Sequence, residues 1–213
     1  YVQPENNGFK VYYQKNGEHL VIEANKVITT SGAYTLPKIL PFIGKKYMDP
    51  IKDLYYAAVV EVILGFKEWE GRPLDAFGGL IPYKEQRDLL GVLFMSSFLS
   101  ERAPQNGAQL TLFMGGARKP EMLNLPDEAI MEVVEREIKE LMELPSFHPD
   151  LIKIIRHPSA IPQYREDTLV RYKSLEQIRK QYPGLIIGGN LKDGIGMADR
   201  IKQGKHMASL AID

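Results

Sequence analysis

An α+β fold is predicted, with an antiparallel or mixed sheet and helices in the middle of the chain and portions of an α/β domain at its two ends. Three apolar runs, near residues 55–66, 89–96 and 109–115, read as long strands of one sheet. One amphipathic run, 127–144, reads as a helix that covers it. The chain closes as strand, glycine-rich turn and helix over 185–212, while strands open it at 8–31, so the terminal parts enclose an inserted middle. Of the 213 residues 44% are apolar and 25% charged, the balance of a globular protein with a substantial core.

Residues 8–31 alternate as paired strands: Phe9, Val11 and Tyr13 share a face, Asn16-Gly17 supplies a two-residue turn, and Leu20 to Ile22 and Val27 to Thr29 continue. Residues 36–43 are helical in pattern but broken by Pro37 and Pro41 and closed by Gly44, which predicts a crossing between domains. Tyr55 to Phe66 has the Val, Ile, Tyr and Ala content of a strand. A charged turn at 68–72 and the pair Gly78-Gly79 lead to Leu80-Ile81-Pro82. The next two strands flank a loop that holds Arg102, Pro104 and Gly107. In the helix predicted over 127–144, Asp127 and Glu128 sit where the helix dipole favours acids. Ile130, Val133, Val134, Ile138, Leu141 and Met142 form one stripe that core packing explains. Residues 151–156 read as a strand leading into 158–164, and 174–182 as a helix stopped by Pro183-Gly184.

Composition excludes several classes of function. Lysine and arginine number 27, aspartate and glutamate 27, so no net charge draws the chain to nucleic acid. The absence of cysteine removes disulfides, thiolate catalysis and thiolate metal sites, and fits a reducing, cytoplasmic setting. His19, His148, His157 and His206 lack ligand spacing, so no metal site is expected. No apolar run approaches the ~18 to 20 residues of a bilayer span, and the first residues lack a secretory signal pattern. The chain opens on Tyr1 within the approach to a strand, which predicts a piece of a longer protein.

The most informative segment is GLIIGGNLKDGIGMADRIKQG, residues 184–204. A buried strand, close-set glycines and a helix let backbone N–H groups approach an anion, with the helix start near Gly196 and Met197 as the natural site. Taken alone, Gly194-x-Gly196 fits a plain tight turn as well as a ligand site. It lacks the full G-x-G-x-x-G of a dinucleotide fingerprint and the Gly-Lys-Ser/Thr of a P-loop.

The core of that segment, Gly194-Ile195-Gly196-Met197-Ala198-Asp199-Arg200-Ile201, resembles the C-terminal flavin signature of the protoporphyrinogen oxidase family. Three further stretches resemble the same family in the same order: FGGLIPYKE with LLGVLFMSSFLSERAP, then LTLFMGGARKP, then AIPQY. Together they cover most of residues 77–204, and the FKVYYQKNG hairpin with KVITTSGAY resembles the end of the flavin domain's first passage. The resemblance implies the back portion of an FAD-dependent enzyme of heme biosynthesis. Such an enzyme oxidises protoporphyrinogen IX to protoporphyrin IX, with oxygen as acceptor and hydrogen peroxide formed. It implies a partial FAD-binding domain at 1–35 and 183–213 and a substrate-binding domain at 36–182. Carried over residue by residue, Ile195, Gly196 and Met197 match the segment whose backbone meets the isoalloxazine ring. There a helix dipole would favour negative charge on the reduced flavin by about 1 kcal/mol. Leu80 and Phe113 match positions that sandwich the tetrapyrrole. No catalytic residue is implied.

Around that apolar slot, Met95, Phe98 and Met114 are expected in the core. Arg102, Arg118 and Arg165 are the guanidiniums able to hold a propionate, against the commoner fate of a solvated surface arginine. The stretch Ile161 to Tyr164 implies structural devices beside the flavin, namely proline rigidity and a buried tyrosine hydroxyl. Many members carry a tryptophan before it and a Gly-His pair after it, where this chain has Arg156-His157 and Glu166-Asp167. His157 is expected to be structural, and His148 and His206 to lie at the surface or at caps. The family's N-terminal GxGxxG turn and the acidic residue that holds the ribose have no counterpart here, so the chain alone is expected to be inactive and not to retain FAD. Coproporphyrinogen as substrate, peripheral contact with the inner face of a membrane, and a homodimer stay open. A tetrapyrrole- or lipid-binding module without redox chemistry would have no use for the flavin turn. A sibling amine oxidase or carotenoid desaturase fits SERAP and LTLFMGG less well.

Overall fold

A computed structural model describes residues 1–212. In chain order the strands are β1 (Val2–Glu5), β2 (Gly8–Lys15), β3 (Glu18–Ala24), β4 (Val27–Thr29), β5 (Tyr56–Phe66), β6 (Gly78–Leu80), β7 (Leu89–Phe94), β8 (Ala108–Gly115), β9 (Leu151–Pro162) and β10 (Leu185–Ile187). The helices are α1 (Leu36–Ile39), α2 (Lys45–Lys52), α3 (Met95–Phe98), α4 (Asp127–Leu141), α5 (Thr168–Gln181) and α6 (Met197–Ile212). This is the mixed α+β arrangement expected. Two compact units divide the chain, one of residues 1–55 with 162 onward and one of residues 56–161. The division falls at 55/56 and 161/162, whereas the sequence reading set domain boundaries at 35/36 and 182/183. Its physical cause is that α2 and α5, on either side of the inserted unit in sequence, pack on each other within the first unit.

In the first unit β1, β2 and β3 form an antiparallel sheet in that order. The β2–β3 hairpin turns on Asn16 and Gly17, whose φ values of 52° and 85° match the strands' own twist. β1 goes unannounced in the sequence because Pro4 stands inside it; at the sheet edge a missing N–H is tolerated. The expected single helix over 36–43 is instead the four-residue α1, and Gly44 caps the start of α2 where the sequence reading had it closing a helix. Pro50 inside α2 hides an amphipathic helix that buries Met48 and Ile51. α5 begins six residues before the expected Ser174. Its inner face opens with Arg171 and Ser174 ahead of Leu175 and Ile178, so polar residues occupy positions where an apolar period was sought.

The second unit is a five-stranded sheet in the order β6-β7-β8-β5-β9. Val60, Val62, Leu64 and Phe66 of β5 and Leu110, Leu112 and Met114 of β8 point to one face. There Ile130, Val134 and Ile138 of α4 cover them. At about 25 cal/mol per Å² of buried apolar surface this layer is the unit's main source of stability. β9 runs unbroken through Pro158, which an edge strand permits, so the expected strand and the segment leading to Tyr164 form one element as far as Pro162.

Candidate functional site

Within the first unit, β10 and β4 pair in parallel, Leu185 with Val27 and Ile187 with Thr29, and the turn 188–196 leaves from the end of β10. Backbone and side chains crowd it. A Cβ on Gly188 would lie 2.2 Å from Sδ of Met207, and one on Gly189, whose φ is 95°, would lie 2.7 Å from the Thr30 carbonyl oxygen. Gln203 of α6, buried, accepts the Gly189 N–H at 2.7 Å and donates to Asp193 Oδ2 at 2.9 Å. Arg200 donates to the carbonyls of Lys192 and Asp193 at 2.8 and 2.9 Å, and also to that of Gly189.

Two more side chains reach the turn from the segment 164–171. The Tyr164 hydroxyl lies 2.9 Å from the Asn190 carbonyl and 3.0 Å from that of Gly194, sharing one proton between them. Burial, and then the neighbouring Tyr172, push its phenol above the ordinary range. Arg171, fully buried, donates Nε to the Leu191 carbonyl at 3.1 Å and Nη2 to Thr168 Oγ1 at 3.1 Å, with Asp167 Oδ2 3.7 Å from Nη1. Its guanidinium also stands 5.5 Å from the centre of the Tyr164 ring. A buried arginine is held only by such a set of partners, and here the set ties the turn to α5.

The start of α6 departs from the free anion site expected there. Asp199 Oδ2 accepts the Gly196 N–H at 3.3 Å, so the helix caps itself with its own carboxylate. A Cβ on Gly194, whose φ is 91°, would stand 2.4 Å from that oxygen. The negative charge of Asp199 offsets any stabilisation the dipole would lend to an anionic ring at this end. What the turn presents outward is apolar, Ile195 being 50% and Met197 81% exposed. Ile195, Gly196 and Met197 therefore fit contact with a flat apolar ring.

Within the second unit, the face of the sheet opposite α4 is open. Leu80 pairs with Gly91, Gly91 with Phe113, and Phe113 with Glu61, so one rung sets these positions on one side. The lack of a side chain at Gly91 makes room for Leu80, whose Cδ2 would lie 3.2 Å from an added Cβ. A cavity of about 430 Å³ on this face is lined by Val59, Phe77, Leu80, Leu93, Phe113 and Ile161, among others, which is within the size range of small-ligand sites. Leu80 is 89% exposed, a large apolar side chain with nothing of its own unit over it. On this face His157 Nε2 lies 2.9 Å from Glu61 Oε2, within hydrogen-bond distance across adjacent strands.

The structure brings Leu80 and Phe113 to one cavity, and sets Ile195, Gly196 and Met197 in one exposed turn. Met114 is in the core as expected, whereas Met95 and Phe98 lie outside the buried cluster, Phe98 tilted against exposed Phe77 with ring centres 4.6 Å apart. Their strand has by then turned into α3 at the sheet margin. Arg102 is exposed; Arg118 stands over the Tyr83 ring and Arg165 over that of Tyr55, at 5.2 and 4.2 Å. Sequence reasoning missed Arg171, Arg200, Gln203 and Glu61. Only Glu61 left a signal, as the lone charge in the apolar strand YAAVVEVILGF.

Comparison with known proteins gives the chain's family. Residues 2–201 match the model of the flavin containing amine oxidoreductase family. The chain is 26% identical over 216 residues to a chloroplastic protoporphyrinogen oxidase of Nicotiana tabacum, an alignment covering 96% of this chain and 39% of that protein. It is 25% identical over 198 residues to the coproporphyrinogen III oxidase of Bacillus subtilis, covering 91% and 41%. Among solved structures, putrescine oxidase bound to putrescine superposes with a TM-score of 0.70 at 14% identity, over 99% of this chain and 47% of that one. The chain thus spans about two-fifths of the length of these curated relatives.

Proposed function

The chain belongs to the flavin containing amine oxidoreductase family, and from that membership we propose that it carries the macrocycle-binding part of an FAD-dependent enzyme of heme biosynthesis. The reaction is the oxidation of protoporphyrinogen IX to protoporphyrin IX. The observation that carries this reading is the open apolar sheet face. Leu80 and Phe113, singled out by motif alone, line one cavity there with Ile161. A large, flat, mostly apolar molecule needs such a slot. A bound FAD would supply the electron acceptor for this oxidation, with oxygen as the final oxidant. Ile195, Gly196 and Met197 would lie against its ring, and the lacing of the turn by Arg200, Gln203 and Tyr164 would keep that surface fixed. By itself the chain carries no G-x-G-x-x-G for the pyrophosphate, and we expect it neither to retain FAD nor to turn over.

Coproporphyrinogen III is a second reading, supported by the name of the Bacillus subtilis relative. The two substrates differ in how many carboxylates need cationic partners. Titrating the purified chain with protoporphyrin IX and coproporphyrin III, followed by absorbance and fluorescence, tests both. Saturable binding, weakened about tenfold by Leu80→Ala or Phe113→Ala, supports the slot; tighter binding of one porphyrin chooses the substrate. Binding of neither, or an affinity that both substitutions leave unchanged, contradicts the assignment.

A further inference from the structure

Glu61 is out of character with its surroundings. It sits on the open face directly across from Phe113, with Val59 and Ile63 as its same-face neighbours along β5. Its strand needs no charge there, and the core layer lies on the other side of the sheet. His157, on the adjacent strand β9, donates Nε2–H to Oε2 at 2.9 Å and so fixes where the carboxylate points. A carboxylate has about four acceptor sites, and the imidazole takes one.

Any flat ligand lying over Phe113 and Leu80 strips water from this group. A ligand without donors leaves the carboxylate underpaired in an apolar setting, which opposes binding. A ligand whose apolar ring also carries convergent N–H groups removes that penalty with charge-assisted hydrogen bonds. The two redox forms of a tetrapyrrole differ in just this respect. With saturated bridges between its pyrroles the reduced ring is puckered, and all four N–H groups can tilt toward one side. The oxidised ring is flat, and its inner N–H groups lie in the plane, shielded by the neighbouring nitrogens.

We propose that Glu61, positioned by His157, accepts hydrogen bonds from the pyrrole N–H groups of the reduced macrocycle and makes the slot prefer substrate over product. The proposal rests on the tetrapyrrole reading of the preceding subsection. It gives Glu61 a specificity role and His157 a positioning role, and it differs from the purely structural part expected for His157.

The test is an anaerobic competition on the purified chain. Palladium(II) protoporphyrin IX, square-planar and without any N–H, serves as the luminescent reporter, and protoporphyrinogen IX displaces it. Both carry the same peripheral groups. Glu61→Gln keeps the shape and removes the charge; it is expected to weaken protoporphyrinogen about tenfold and the palladium porphyrin less than twofold. His157→Gln, which keeps a donor, is expected to give a smaller loss with the same selectivity. Leu80→Ala, as control, weakens both ligands alike. Equal losses for both ligands with Glu61→Gln mean a merely structural residue and overturn the proposal, as does unchanged protoporphyrinogen affinity. In either case continued binding of the reporter leaves the slot itself standing. If the unsubstituted chain binds neither ligand, the tetrapyrrole reading fails and the proposal fails with it.

Discussion

The glycine turn at 188–196 and the open sheet face of the second unit are built on opposite plans. The turn is a short backbone segment held by polar side chains: Arg171 and Tyr164 from one stretch of chain, Arg200 and Gln203 from another. The sheet face is mostly apolar, with the His157–Glu61 hydrogen bond across two of its strands. Its positions are set by strand register, and its rigidity comes from the core behind it. The turn therefore resists change at residues that touch no ligand, whereas the face tolerates change at residues that line its cavity.

Substitution of Arg171 should break this contrast most severely if it is wrong. Arg171→Leu leaves the Leu191 carbonyl without its donor and unties the turn from α5, and a loss of about 3 kcal/mol is expected in urea unfolding followed by circular dichroism. A loss below about 1 kcal/mol would mean that the network is ornamental. Next in size is Gly189→Ala, which meets both a positive φ of 95° and the Thr30 carbonyl, and is expected to cost about 2 kcal/mol. On the sheet face, Leu80→Ala should change stability by no more than about 0.5 kcal/mol, because the side chain is almost wholly exposed.

These regions also differ in how far they could be read in advance. Leu80 and Phe113 could be placed before any coordinates because the stretches that hold them, FGGLIPYKE and LTLFMGGARKP, resemble the family's. α6 likewise starts at Met197 as expected, because glycines end where an amphipathic run begins. The lacing of the turn was not legible. Arg171 and Tyr164 are remote from it in sequence, and a buried arginine looks like a surface one until its partners are known. The same residue hid the first two turns of α5. Asp199 was read as part of a motif, and its reach back to the Gly196 N–H is a matter of side-chain conformation that spacing alone leaves open.

A finer probe of the turn is its response to alkali. Tyr164 has its folded-state pKa raised above the ordinary 10.0 by burial. The stability this confers is full below the unfolded value and is lost as pH rises through the folded one. Stability measured from pH 9 to 11 should fall more steeply in the unsubstituted chain than in Tyr164→Phe. Equal slopes would show that the hydroxyl is not enclosed by the turn.

Hydrogen exchange with and without protoporphyrin IX, read by mass spectrometry, tests the division of labour most directly. Slowed exchange is predicted across β6, β7, β8 and the stretch 155–161, with residues 185–197 unchanged. Slowing confined to 185–197, or absent from the sheet strands at saturating porphyrin, would contradict the assignment of the macrocycle to the open face.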